Sequence, residues 1–554
     1  MLPAQIIGER ADMGVMTGGE AIVAGLLDHG IETIFGLPGA QIYGLFDALH
    51  RAQPKLKIIG ARHEQACGYM AFGAARASGR PSVFAVVPGP GVLNTGAALI
   101  TALGCNAPVL CLTGQVPRAF LERGRGHLHE MRDQLGTLRG LVKHAARIEA
   151  GANAKIEVAR AFQEMTSGRP GPAALEMPWD VFTETAPVAE QAPLAPLPAP
   201  PPDSDRIAAA AKLIAASKAP MIFVGGGAFD AADAILALAE KIDAPVVAFR
   251  SGRGIVSNRH ELGLTFAAAY ELWPQTDLMI GIGTRLELPF WRWPYRPSGV
   301  KSIRIDIDPA EMRRMTPDVA IIADADAATR ALVAAVGGSG VKPGARRESI
   351  KQATAKAARD IQAIQPQMAY LEVLRAVLPD DGFVTDELSQ VGFASWYGFP
   401  VYHPRTFISS GYQGTLGAGF PTALGVKATF PDRPVVAITG DGGFMFAVQE
   451  LATAVQFGLA VVTLVFNNEA YGNVRRDQLQ TFDGRVTAAD LVNPDFVKLA
   501  QSFGVEGQRV ATPEAFKPAL ERALAAGTPQ LIEIVVPRDS ETSPWRFIHP
   551  PRPA

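Results

Sequence analysis

Val435-Val436-Ala437-Ile438-Thr439-Gly440-Asp441-Gly442 sets an apolar run directly against a glycine-flanked aspartate. A short apolar run closed by glycine reads as a buried strand, which places Asp441 at the strand's carboxyl end. The next apolar run, Leu459 to Phe466, ends at Asn467-Asn468-Glu469-Ala470. A helical segment separates the two runs, so both polar ends fall on the same edge of a parallel sheet. Ligands gather at that edge in open α/β sheets.

A lone Gly-Asp-Gly is ordinarily only a turn. Here the flanking strands and the paired amide call for more. Asp441, the Asn468 side chain and a nearby backbone carbonyl are hard oxygen donors, suited to Mg²⁺ with the diphosphate of a cofactor completing the shell. Gly440, Gly442 and Gly443 let backbone N–H groups approach phosphate, and the helix that follows points its positive end at it.

The 554 residues are too many for one core, and three domains of ordinary size are expected. A net charge of −2 gives no electrostatic case for nucleic acid or an anionic membrane. Cys67, Cys105 and Cys111 show neither metal-ligand spacing nor a disulfide framework, which suits a reducing cytoplasm. Met1 to Val15 carries Glu9, Arg10 and Asp12 and no long apolar stretch, so it does not read as a secretory signal. Pro81 to Pro117 lacks charge, but Pro88, Gly89, Pro90, Gly91 and Pro108 punctuate it. It reads as strand, loop, helix, loop, strand, and no membrane span is expected.

Two stretches read as linkers: Thr185 to Asp203, rich in Pro and Ala, and the Gly-rich Gly337 to Gly344 before a polar helical segment. They divide the chain into domains at 1–185, 203–340 and 365–540. Each alternates short β-branched runs with Ala/Leu-rich helical segments, the signature of doubly wound parallel α/β sheets. In the first, Leu56-Lys57-Ile58-Ile59 reads as a strand and Ala66 to Ala77 as a helix, so Glu64 lies at a strand-to-helix junction. Such a glutamate ordinarily complements the helix dipole and no more.

Several motifs nevertheless occur in order along almost the whole chain: Arg62-His63-Glu64-Gln65-Ala66, Val87-Pro88-Gly89-Pro90-Gly91, Thr113-Gly114-Gln115-Val116-Pro117, Ser167-Gly168-Arg169-Pro170-Gly171-Pro172, Gly225-Gly226-Gly227, Ile305-Asp306-Ile307-Asp308-Pro309 and the run from Gly440 to Arg475. Together they resemble the thiamine-diphosphate family of acetolactate synthase. The resemblance implies three α/β domains: pyrimidine-binding, central and diphosphate-binding. It also implies a cofactor held between the first domain of one subunit and the third of another, hence a homodimer at minimum and commonly a homotetramer.

By that resemblance Glu64 is the buried carboxyl that hydrogen-bonds the cofactor's aminopyrimidine and activates it. Asp441, Asn468 and the Ala470 carbonyl hold Mg²⁺. Leu416, after Gly414, bends the cofactor, and Tyr471 continues the binding run. Gln115 lines the substrate side. The implied chemistry is decarboxylation of a 2-oxo acid such as pyruvate and transfer of the acyl-anion equivalent to a second carbonyl. The alternative is a lyase or decarboxylase acting on a hydroxyketone, diketone, 2-oxo acid or acyl-CoA.

The chain also departs from the family pattern. Ala40, in Gly36-Leu37-Pro38-Gly39-Ala40, stands where simple 2-oxo-acid decarboxylases carry an Asp, and Gln115 stands near the place of their His-His pair. Missing proton donors favour ligation over protonation. His127 and His129 stand where synthases carry Phe-Gln-Glu, and His129 is the candidate proton shuttle. Asn473 and Arg476-Asp477 replace a Met and a Gln-Trp; Phe393-Ala394 replace a Gln-His pair.

In the central domain neither Gly225-Gly226-Gly227 nor Leu278 to Gly283 completes a dinucleotide fingerprint, although Asp306 and Asp308 end a strand where a ribose-binding acid could lie. Relatives carry FAD, ADP or nothing there. Gly263-Leu264-Thr265-Phe266, in place of a Met-His-Gly element, weighs against FAD.

Overall fold

A computed structural model describes residues 13–552 apart from 339, 341 and 343. Each of its three main sheets has six strands, all parallel. Parallel sheets covered on both faces need strands apolar throughout, not alternating. Val109–Gln115 and Ser82–Val86 are buried at every position.

The chain divides into two compact units. The first runs to Leu197, except that Arg76–Gly79 and Gly104–Asn106 belong to the second. Its sheet has the order Lys57–Gly60, Thr33–Gly36, Ser82–Val86, Val109–Gln115, Ala173–Pro178, His144–Arg147. Winding reverses between Thr33–Gly36 and Ser82–Val86, so a crevice opens where Leu37-Pro38-Gly39-Ala40 and Val87-Pro88-Gly89 leave their strands. Helix Glu64–Ser78 packs closely because its residues are small: a Cβ on Gly68 would lie 2.6 Å from that of Ala98. Thr185–Ala189, inside the stretch expected to be linker, forms an antiparallel pair with Met13–Thr17. The Pro-rich residues 190–203 after it have no regular secondary structure.

The second unit holds the other two sheets on one continuous apolar core that runs from Ile207 to Ile548. Phe249, Phe266, Trp396 and Tyr397 meet edge-on within it, ring centroids 5.1 to 5.6 Å apart. The central sheet has the order Gly263–Leu264, Val246–Ala248, Pro220–Val224, Leu278–Ile282, Lys301–Asp306, Val319–Ile322. The third has the order Phe407–Ile408, Phe383–Thr385, Val435–Gly440, Val462–Asn467, Gln530–Val535, Glu506–Val510. Its winding reverses between Phe383–Thr385 and Val435–Gly440, which sets Asp386-Glu387 and Asp441 at the two lips of one crevice. The chain beyond 540 packs back onto a helix of this domain: Gln367, which opens helix Gln367–Val377, donates from its side chain to the Thr542 carbonyl at 2.9 Å.

Among the described residues no helix is long and apolar enough to cross a membrane. All three cysteines are buried and none is in a disulfide.

Candidate active site

In the first unit, Glu64 opens helix Glu64–Ser78 and is half-buried in the single chain, not fully buried as the resemblance implied. Asn94 Nδ2 donates to its carboxylate at 3.0 Å. Asn94 ends the short helix Pro90–Asn94, whose entry turn needs glycine at 89: φ is +62°, and a Cβ there would lie 2.5 Å from the His129 carbonyl oxygen. The turn at Gly89 therefore brings the Glu64 and His129 segments to one edge.

A buried polar network supports that edge. The Gly89 N–H donates to Gln134 Oε1 at 2.8 Å. Gln134 Nε2 donates to the Gly114 carbonyl at 2.9 Å and to Glu176 Oε2 at 2.8 Å. Arg147 Nε donates to Glu176 Oε1 at 2.6 Å. Gln115, the last residue of its strand, is 4 % exposed; its Oε1 accepts from the Val116 N–H and its Nε2 reaches Glu176 at 3.4 Å. The Gln115 amide is thus spent within the protein and presents no titratable proton.

The loop carrying the two histidines is stapled by Glu130, which accepts the Gly124 and His127 N–H groups at 3.0 and 2.9 Å. The His127 amide holds this carboxyl below the usual carboxylate range. His129 has a φ of +61°, and its Nδ1 is buried without a hydrogen-bond partner. Gln41 Nε2 donates to the neighbouring Leu128 carbonyl at 2.5 Å. His127 rests on the Phe120 ring, centroids 4.5 Å apart.

In the second unit, Asp441 follows strand Val435–Gly440 and is 2 % exposed. Burial raises its carboxyl above the usual range. Asn493 Nδ2 bridges Asp441 Oδ2 at 2.7 Å and Asn467 Oδ1 at 2.9 Å. Asn468 Oδ1 accepts from the Ala470 N–H at 3.2 Å, and Asn468 Nδ2 donates to Glu541 at 2.6 Å. Glu541 is pushed up to about 7 by burial, with the charge of Asp441 adding to it. Two desolvated carboxylates in one polar pocket are costly unless a cation joins them.

Among the described residues no three His, Cys, Asp or Glu side chains converge as a self-contained metal site. The donors here are a carboxylate, an amide oxygen and a carbonyl, which suit a hard cation that shares oxygens with a phosphate. Gly442 and Gly443 are required sterically: a Cβ would lie 2.4 Å from the Tyr471 ring in one case and 2.4 Å from Glu387 Oε1 in the other. Leu416 is half-buried between Gly414 and Gly417, whose φ values are +59° and +77°, so it is held up at the crevice instead of packed in the core. These residues fit a magnesium–diphosphate group.

Reading along the sequence misses Asp386 and Glu387 at the opposite lip. Glu387 is 2 % exposed; one carboxylate oxygen accepts the Gly417 N–H and the other has no partner. Burial pushes it up to about 8. Asp386, which accepts from Trp396 Nε1, is pushed up by burial to about 6. The signal was present: Phe383-Val384-Thr385 is a short apolar run ending in two acids. Asn493, Gln134, Glu176 and Glu541 carried no such local sign. Trp545, on the C-terminal tail, donates to Asn473 Oδ1 and packs on Phe393, so the tail covers the helix that carries Arg476 and Asp477.

In the central domain the two acids at the end of strand Lys301–Asp306 each accept a backbone N–H of their own turn. Asp306 accepts from the Asp308 N–H and Asp308 from the Ala310 N–H. Its two glycine turns bond to each other, Gly227 N–H to the Gly283 carbonyl at 3.1 Å. Trp293 is buried against Trp273.

Three family profiles match the chain in order. They are described as the N-terminal TPP binding domain, the central domain and the C-terminal TPP binding domain of thiamine pyrophosphate enzymes, at residues 16–137, 207–332 and 388–534. The probable 2-ketoarginine decarboxylase AruI of Pseudomonas aeruginosa is 34% identical over 92% of this chain and 92% of its own. The probable acetolactate synthase large subunit of Methanocaldococcus jannaschii is 34% identical, covering 94% and 92%. The acetolactate synthase isozyme 1 large subunit of Escherichia coli is 31% identical, covering 95% of each. By these three profiles and by relatives 31% to 34% identical over nearly its whole length, the chain belongs to the thiamine-diphosphate-dependent enzyme family of the acetolactate synthases.

Proposed function

We propose that this enzyme is a carboligase: it decarboxylates a 2-oxo acid such as pyruvate and transfers the acyl-anion equivalent to a second carbonyl. The observation that carries the choice is the lack of a protic group at two positions. Ala40 has no side-chain proton, and the Gln115 amide is bonded into the protein. Without a proton donor at these two positions, the site would favour ligation to a second carbonyl over protonation.

In this reading Asp441, Asn468 and the Ala470 carbonyl hold Mg²⁺, while Gly440, Gly442 and Gly443 offer N–H groups to the diphosphate. Gly414 and Leu416 shape the cofactor, Tyr471 lies over the Gly442 turn, and Glu64 bonds the aminopyrimidine. Thiamine diphosphate, when bound, supplies the electron sink that makes loss of CO₂ feasible. Gln115 keeps the acceptor side rigid, and His129 moves the proton that the new alcohol needs. For the central domain FAD stays the less favoured option, because Gly263-Leu264-Thr265-Phe266 replaces the Met-His-Gly element. The enzyme works as a homodimer at minimum, with a homotetramer as the expected assembly, in the cytoplasm.

The test is turnover of pyruvate with Mg²⁺ and thiamine diphosphate, following CO₂ and identifying the product. Acetolactate supports the carboligase. Acetaldehyde moves the assignment to the decarboxylase alternative, with His129 as the group that protonates.

A further inference from the structure

A cleft of about 410 Å³ opens in the first unit beyond the carboxyl ends of Val109–Gln115 and His144–Arg147. It lies on the far side of the sheet's switch point from Lys57–Gly60, the strand that leads to Glu64. The segment from Glu130 to Asp133 forms one wall, directly after His129. Its floor is Gln115 and Gln134, 4 % and 1 % exposed and hydrogen-bonded to Glu176 beneath. A floor bonded this way is preorganised.

The charges of the lining are spent unequally. Glu130 gives both oxygens to backbone N–H groups of its own loop. Asp133 caps helix Gln134–Leu141 by accepting from the Gly136 N–H at 2.7 Å. Glu122 lies 3.5 Å from Arg147, which also pairs with the buried Glu176. Arg132 and Arg139 remain: among the described residues neither has a hydrogen-bond or ion-pair partner. The unspent capacity of the cleft is therefore two guanidinium groups, donors matched to a carboxylate. Val116, Leu121, Met131 and Leu135 line the remainder and suit a short hydrocarbon stem.

We propose that this cleft binds a small organic acid, holding its carboxylate with Arg132 and Arg139. Two sources share that chemistry: the distal carboxylate of a substrate, or a separate ligand that acts through the His129 loop. Binding is read without turnover, so the proposal stands or falls independently of the carboligase reading.

The experiment is calorimetric titration of the cofactor-loaded enzyme at low ionic strength with succinate, glutarate and 2-oxoglutarate, and with succinamide as the uncharged control. At least one acid should bind and succinamide should not. Arg132→Gln and Arg139→Gln should each weaken binding about tenfold, with unchanged melting because both side chains are exposed. Glu122→Gln, which removes a charge the site does not use, should not weaken it. Failure of all three acids to bind, or equal binding by the double variant Arg132→Gln with Arg139→Gln, overturns the proposal.

The source is then read from kinetics. A KM for 2-oxoglutarate that rises in the double variant, with pyruvate turnover unmoved, makes the carboxylate the substrate's own. An effect of succinate on pyruvate turnover that the double variant abolishes makes it a separate ligand. Either result supports the site.

Discussion

The Gly417 N–H donates to the Glu387 carboxylate, tying the loop that presents Leu416 to the carboxyl end of strand Phe383–Thr385. The same carboxylate lies where a side chain on Gly443 would have to be, so one buried acid touches both the loop proposed to bend the cofactor and the loop proposed to hold its diphosphate. Glu387→Ala should leave a buried N–H unmet and lower stability by about 1–3 kcal/mol, measured by chemical denaturation. Glu387→Gln keeps an acceptor and should lose much less.

The pH response of Glu387 has a definite sign. Its carboxyl has an ordinary value of 4.5 and is pushed up to about 8 by burial, so the folded state holds a proton that the unfolded chain releases. Stability contributed by this group is full below about 4.5 and declines as pH rises toward about 8. The cofactor-free Glu387→Gln variant should show a flatter stability profile across that window. An identical slope in wild type and variant would refute the assignment.

Glu64→Gln should lower kcat by at least about a hundredfold, the scale of a lost proton-transfer group. Cofactor affinity and melting temperature should stay near wild type, because the Asn94 side chain can still find an oxygen at position 64. Cofactor binding followed by tryptophan fluorescence, beside kcat, separates the chemical role from a structural one.

Asp441 is desolvated and its carboxyl is raised by burial, so without metal its charge is a liability. Metal-free Asp441→Asn should be at least as stable as the metal-free wild type. On adding Mg²⁺ and thiamine diphosphate, wild type should gain melting temperature and the variant should not. A chelator should remove the gain, and excess Mg²⁺ restore it.

Gly442→Ala places a methyl group 2.4 Å from the Tyr471 ring. The ring or the turn must move, and cofactor affinity should fall about tenfold or more. Tyr471→Ala added to it should recover part of the lost stability, with a coupling of about 0.5–3 kcal/mol in a double-mutant cycle. Additive effects would mean that the ring does not constrain the turn.

Asp441, Asn468, Glu64 and the glycine turns were legible along the chain because each ends or follows an apolar run, and a strand's end is a local property of sequence. The same holds for the three parallel sheets: buried strands alternating with helical segments leave few other arrangements. The partners of those residues were not legible. Asn493 meets Asp441 across 52 residues, Glu541 meets Asn468 across 73 and Gln134 meets Glu176 across 42. Strand order and the return of the C-terminal tail create those contacts, and no periodicity encodes which loop will lie beside which. Sequence alone determined the α/β class and the thiamine-diphosphate family, and it supplied the residues proposed to touch the cofactor. Tertiary structure alone decided which acids are buried, that the Gln115 amide is spent inside the protein, and that Arg132 and Arg139 line a cleft with no partner among the described residues, because burial and pairing depend on neighbours distant in the chain.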